Sequence, residues 1–128
     1  MATTPQFINV PIIGRALLSA ANTATDGTGT ITELATGTAA GTRVLSIHVQ
    51  NAATSAAALV NIFLSTDSGS TWKLYDQIQV AAATSGNTVK CARNVTAYTD
   101  LFLGTGHKLG VTTTIAEATN VYAHGGTL

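Results

Sequence analysis

The densest set of side chains able to do chemistry is Ser65-Thr66-Asp67-Ser68-Gly69-Ser70-Thr71-Trp72, which fits the spacing S-x-D-x-G-x-T-W. A carboxylate among hydroxyls, followed by a glycine two residues later, is chemistry of the backbone itself. Asp67 can accept hydrogen bonds from the N–H groups of a tight turn, and Gly69 can take a conformation that other residues resist. Trp72 can close the turn from below with its large apolar face. Ser65, Asp67, Gly69 and Trp72 are therefore expected to build a hairpin and not to act on a substrate.

Other reactive residue types do not combine into a site. The six acids are Asp26, Glu33, Asp67, Asp76, Asp100 and Glu117. Nothing in their spacing marks two of them as a facing general-acid and general-base pair. His48, His107 and His124 fall on three different expected strands, without H-x-H or H-E-x-x-H spacing, so no metal site is expected. No G-x-S-x-G elbow accompanies the many serines. Cys91 is the only cysteine, so it forms no internal disulfide, and it reads as a small packed or half-exposed side chain and not as a nucleophile. Asn94-Val95-Thr96 matches a glycosylation sequon by pattern alone. The expectation is a non-enzyme with no catalytic residues and no cofactor.

The elements that must carry these residues are strands. Period-two alternation runs through residues 43–51, where Leu45, Ile47 and Val49 face one way, and through 59–65, which has apolar residues on both faces. In 71–80, Trp72, Leu74, Ile78 and Val80 share a face with Asp76. An acid on an apolar face predicts a bulge or a strand edge there. Further strands are expected at 28–34, 87–93, 100–103, 107–114 and 119–125, with 15–22 open between helix and strand. Turns at Asp26-Gly27, Ala40-Gly41, Ser68-Gly69, Ser85-Gly86, Gly104 and Gly106 separate them. Eight or nine short strands with glycine-rich turns predict an all-β, antiparallel β-sandwich of jelly-roll type.

Residues 1–13 read differently. Pro5 and Pro11 bracket a segment carrying Phe7, Ile8, Val10, Ile12 and Ile13. Proline blocks helix and fits a central strand poorly, which leaves an edge strand or an extended arm. The expectation is an N-terminal assembly arm over 1–13, preceding a single sandwich domain over 14–128.

Composition points the same way. The chain has 128 residues, of which 21 are alanine, 23 threonine and 12 glycine, and only 9% are charged. Ordinary soluble domains carry roughly 25% charge. A neutral surface of this kind tends to self-associate, and it suits a protein whose faces are covered by partners. Arg15, Arg43, Lys73, Lys90, Arg93 and Lys108 are scattered along the chain, with no basic stripe. The longest apolar run, Ala56 to Val60, is far too short to span a membrane. Nucleic acid and membrane are thus not expected partners. The lack of a secretory pattern at the N-terminus and the single cysteine suggest synthesis in a reducing cytoplasm.

Three stretches together resemble small virion structural proteins of tailed bacteriophages: residues 41–49 (G-T-R-V-L-S-I-H-V), the hairpin 62–78, and residues 107–126 ending in Gly125-Gly126. The S-x-D-x-G-x-T-W hairpin also resembles the Asp-box, a folding element shared by sialidases and unrelated β proteins. Within the virion group, the resemblance is nearest to capsid decoration, or cement, proteins. It implies a structural role in the virion, with the major capsid protein or other virion proteins as partners and a homo-oligomer, a trimer by preference. A tail, neck or head-fibre component is the alternative inside that group. A carbohydrate-binding sandwich using Trp72 or Tyr75 as a stacking platform is the alternative outside it.

Overall fold

The alternation resolves into nine β-strands in a computed structural model that describes Ile8 and residues 10–128. They are β1 (Val10–Leu18), β2 (Thr32–Thr36), β3 (Thr42–Asn51), β4 (Ala58–Ser65), β5 (Lys73–Val80), β6 (Arg93–Ala97), β7 (Phe102–Leu103), β8 (Lys108–Thr113) and β9 (Thr119–Thr127). No helix occurs among the described residues. One sheet runs β1-β9-β3-β6, with β7 also paired to β3; the other runs β2-β8-β4-β5. All ladders between these strands are antiparallel. First strand pairs with last, second with second-last, and so inward to the β4–β5 hairpin. That nesting is a jelly roll.

The core is the apolar layer between the two sheets. Val44, Ile47, Val49, Leu103, Val121 and Ala123 enter it from the first sheet, and Val60, Ile62, Ile78, Val80, Leu109 and Val111 from the second. A buried polar seam runs beside it. Asn51 donates to Ser55 Oγ at 2.7 Å and accepts from Thr119 Oγ1 at 3.0 Å, so these buried groups are paired.

Two bulges decide which residues reach that core. In β3 the register shifts between Val44 and Ser46. Val44 is buried at 2% exposure and Leu45 is turned outward at 39%. This corrects the expectation that Leu45 shares a face with Ile47 and Val49: one extra residue in a strand inverts the alternation on one side of it. In β5 the shift leaves Tyr75 without a partner, so Asp76 opposes Ile62 while Leu74 opposes Phe63. Asp76 therefore lies on the core side, where its carboxylate accepts from Tyr98 Oη at 2.7 Å. The bulge expected from Asp76 is present, and β5 is also an edge strand. The same shift puts Leu74 on the opposite face from Ile78 and Val80, not on theirs as the alternation suggests.

Other boundaries move as well. The strand expected at 87–93 lies later, at Arg93–Ala97, and only the end of 28–34 is strand. Residues 15–22 are strand as far as Leu18, then irregular. Val10, Pro11, Ile12 and Ile13 belong to β1, which pairs with β9 along its whole length, from Val10 opposite Thr127 to Leu18 opposite Thr119. The expected arm boundary at residue 13 is therefore replaced by an edge strand of the sandwich, the position where a proline is tolerated. Phe7 and the side chain of Ile13 lie outside the described residues.

The β3 bulge gives a direct test. Val44→Ala should destabilise the chain by about 2 kcal/mol, the scale of two buried methyl groups and the gap they leave. Leu45→Ala should cost under about 1 kcal/mol. Chemical denaturation of both variants checks this, and the reverse order would restore strict alternation.

Candidate functional site

The Asp67 hairpin is assembled as its residue types suggest. Asp67 accepts from Ser65 Oγ at 2.8 Å, from the Thr71 N–H at 2.9 Å and from Thr71 Oγ1 at 2.6 Å. The Gly69 N–H donates to Ser65 Oγ at 2.8 Å. Ser68 and Gly69 both take left-handed conformations, with φ of 62° and 90°. These hydrogen bonds, those from Thr71 first, hold the Asp67 carboxyl down at about 2. All three of these bonds to its carboxylate come from the turn itself.

Trp72 precedes β5 and is half-buried on the outer side of the second sheet. An added Cβ at Gly110 of β8 would lie 3.0 Å from Trp72 Cζ3 and would collide with Ile31. Glycine at 110 thus lets the indole rest against the sheet, beside the fully buried Phe63. The chain between β1 and β2 lies against the same side: Asn22 Nδ2 donates to the carbonyls of Thr28 and Thr30, and the Asn22 N–H donates to the Thr113 carbonyl. Trp72 is part of this packing and not a free platform.

The remaining reactive residues stay apart. Among the described residues no three His, Cys, Asp or Glu side chains group closely enough to hold a metal ion. His107 Nδ1 accepts from the Gly104 N–H at 2.9 Å, a turn contact. Glu33 pairs with Lys108 at 3.1 Å. Asn94 of the sequon donates to the Gln79 carbonyl at 2.6 Å, tying β6 to β5. Cys91 is half-buried and lines an open hollow with Lys90, Arg93 and several alanines.

A different surface gathers residues that are far apart in sequence. On the outer face of the first sheet, Arg15 of β1 opposes Tyr122 of β9, which opposes His48 of β3, which opposes Val95 of β6. Arg15, His48, Tyr122 and His124 line an open depression of about 540 Å³. The His48 and Tyr122 rings meet edge to face with centroids 5.8 Å apart, and His48 and His124 lie 6.2 Å apart. His48 Nε2 is buried without a hydrogen-bond partner. Burial, then the positive charge of Arg93 and the neighbouring His124, lowers the His48 pKa below its usual value. Farther along the face, the Arg43 guanidinium sits 5.6 Å from the centre of the exposed Phe102 ring.

Sequence order concealed this grouping. All three arginines, 15, 43 and 93, stand on strands of the first sheet, and none of the six acids or three lysines does. The basic residues described as scattered are scattered along the chain only; folding collects the arginines on one face. His48 and His124, likewise separate in sequence, become diagonal neighbours through the β3–β9 ladder. A period-two reading alone could have marked Arg15, His48, Tyr122 and His124 as outward, but not as adjacent.

Comparison with protein-family models, curated proteins and solved structures found no match.

Two outcomes follow from the hairpin. The lowered Asp67 pKa means that its contribution is fully present above its unfolded value near 4 and is lost as pH falls from there towards about 2. Asp67→Asn should lower the melting temperature at neutral pH and flatten its decline across that acid window. Trp72→Ala should cost about 3 kcal/mol, the low end for aromatic truncation because the ring is only half-buried; calorimetry reads both.

Proposed function

We propose that this chain is a structural virion protein that docks on an assembled phage capsid as a decoration, or cement, protein. One observation carries the reading. A sandwich with 9% charged residues leaves Leu17, Leu45, Val95 and Phe102 exposed on the first sheet, against Leu74 and Tyr75 on the second. Several large apolar side chains left exposed on the face of one sheet suit a surface that a partner covers. The likeness of residues 41–49, 62–78 and 107–126 to small tailed-phage virion proteins supports the virion as its setting. A jelly roll made in the host cytoplasm and added to a finished shell would stabilise it by mass action, since it binds only the assembled lattice. Repetition by lattice symmetry would multiply modest contacts, and a trimer would fit a site of local threefold symmetry.

The alternative placement in tail, neck or head fibre uses the same kind of face against a different virion partner. The carbohydrate-binding alternative is weakened, because Trp72 is engaged with Gly110 and Ile31, leaving Tyr75 as the exposed aromatic of that pair.

The test is addition of purified chain to expanded capsid shells that lack it. Saturable binding to shells, no binding to unassembled capsid subunits, and a raised shell melting temperature are expected. Binding confined to tails or necks would move the chain to that part of the virion. Absence of binding to any particle component would end the virion reading.

A further inference from the structure

The strands of the first sheet carry every arginine of the chain and none of its acids or lysines, and Lys90 lines the hollow beside Arg93 at the edge. Arg15 and Arg93 stand on opposite sides of the central β9–β3 pair, three strand spacings across and two residues along, about 16 Å apart. Between them lie Tyr122 and His48, with His124 on the side away from Arg93, and beyond lies Arg43 against Phe102. The chain as a whole has no net charge. The strands of this sheet therefore carry a net positive charge, balanced by the acids elsewhere in the chain.

We infer that this face docks an acidic protein surface, with carboxylates meeting Arg15 and Arg93 around an apolar and aromatic centre; the inference rests on the docking reading above. Charge complementarity fixes the sign of the partner. The choice of cation fixes its kind. Arginine presents a planar fork that binds a carboxylate through two parallel hydrogen bonds, which lysine cannot do. Arginine, tyrosine and phenylalanine are the residues enriched at protein interfaces, whereas lysine, aspartate and glutamate are depleted. A nucleic-acid face would instead need a dense track of cations for successive phosphates. Here Leu17, Val95 and Phe102 occupy that ground. A partner protein can cover such side chains, but solvated phosphates cannot. His48 adds a bias. His48 is faced by Arg93 from β6 and by His124 and Tyr122 from β9, with Arg15 across Tyr122 on β1, and no acid stands on any of these strands. A docked carboxylate would supply the missing negative charge, so binding should tighten as pH falls and His48 takes up a proton.

The test uses the full chain against an immobilised glutamate-rich peptide containing interspersed leucine and tyrosine. Heparin and duplex DNA serve as comparison probes. Binding to the peptide should weaken at least about tenfold between about 0.05 M and 0.5 M salt, where screening shortens several-fold. It should also be at least about tenfold weaker in Arg15→Glu/Arg93→Glu, with Lys73→Glu unchanged and both variants melting like the parent. Peptide binding that ignores salt or the arginine changes overturns the inference. Tighter, arginine-dependent binding of heparin or DNA overturns it in favour of a polyanion. Salt-sensitive self-association abolished by the same variant overturns it in favour of a second copy. On capsid shells, undiminished binding of Arg15→Glu/Arg93→Glu would refute this face while leaving the docking function standing. Failure of the parent chain to bind particles would refute the docking function itself.

Discussion

The two sheets are held by one layer of interdigitated Val, Ile and Leu side chains, and everything else in the molecule is arranged around keeping that layer closed. The layer is thin because so much of the chain is alanine, threonine and glycine. Each large inward side chain then carries a heavy share of the burial, and Ile47, Val49, Ile62, Leu103, Leu109, Val111 and Val121 are almost wholly removed from water. A protein with so few large apolar residues inside gains little by leaving others outside. The exposed Leu17, Val95 and Phe102 are unspent hydrophobic area on the outer face of the first sheet.

Bulges are the devices that reconcile the sequence with this layer. At Leu45 and again at Tyr75, one extra residue inverts the alternation on one side. The first bulge delivers Val44 to the core and presents Leu45 outward. The second brings Asp76 inward, where it meets the hydroxyl of Tyr98. Burial and the adjacent Asp76 carboxylate hold that phenol protonated well above its usual range. An acid on the core side is tolerable because it has this donor and sits on an edge strand beside solvent.

The jelly-roll nesting also brings distant segments together. Pairing the first strand with the last sets Arg15 beside Tyr122, and pairing β3 with the same last strand sets His48 on its other side. β6 then adds Arg93 and Val95. The result is a face assembled from four separate parts of the chain. With no acid on any of these strands, the arginines find no opposite charge within the sheet, and a covering partner of opposite charge would supply it. The Asp67 hairpin stands in contrast, since its network comes from a single stretch of eight residues and is complete in itself.

How much of this could be read from the chain depends on the range of the interactions involved. The hairpin was legible residue by residue, because Ser65, Asp67, Gly69 and Thr71 act within one turn, and the all-β sandwich was legible because alternation and glycine-rich turns are also local. The inward acid at 76 even revealed its bulge. The bulge at Leu45 was not legible, because nothing in Val44-Leu45-Ser46 says which of two apolar neighbours the opposite sheet will accept. Trp72 shared that ambiguity: its size promised packing, but only Gly110 and Ile31, from elsewhere in the chain, show which side of the sheet receives it. Residues 10–13 read equally as arm or edge strand until the ladder from Val10 to Leu18 with β9 decided them. Segregation of arginine from acid was invisible for the same reason. Sequence alone determined which residues alternate and where the chain turns, whereas the pairing of the first strand with the last decided which outward residues meet, because strand register is set by contacts across the whole chain and not by neighbours along it.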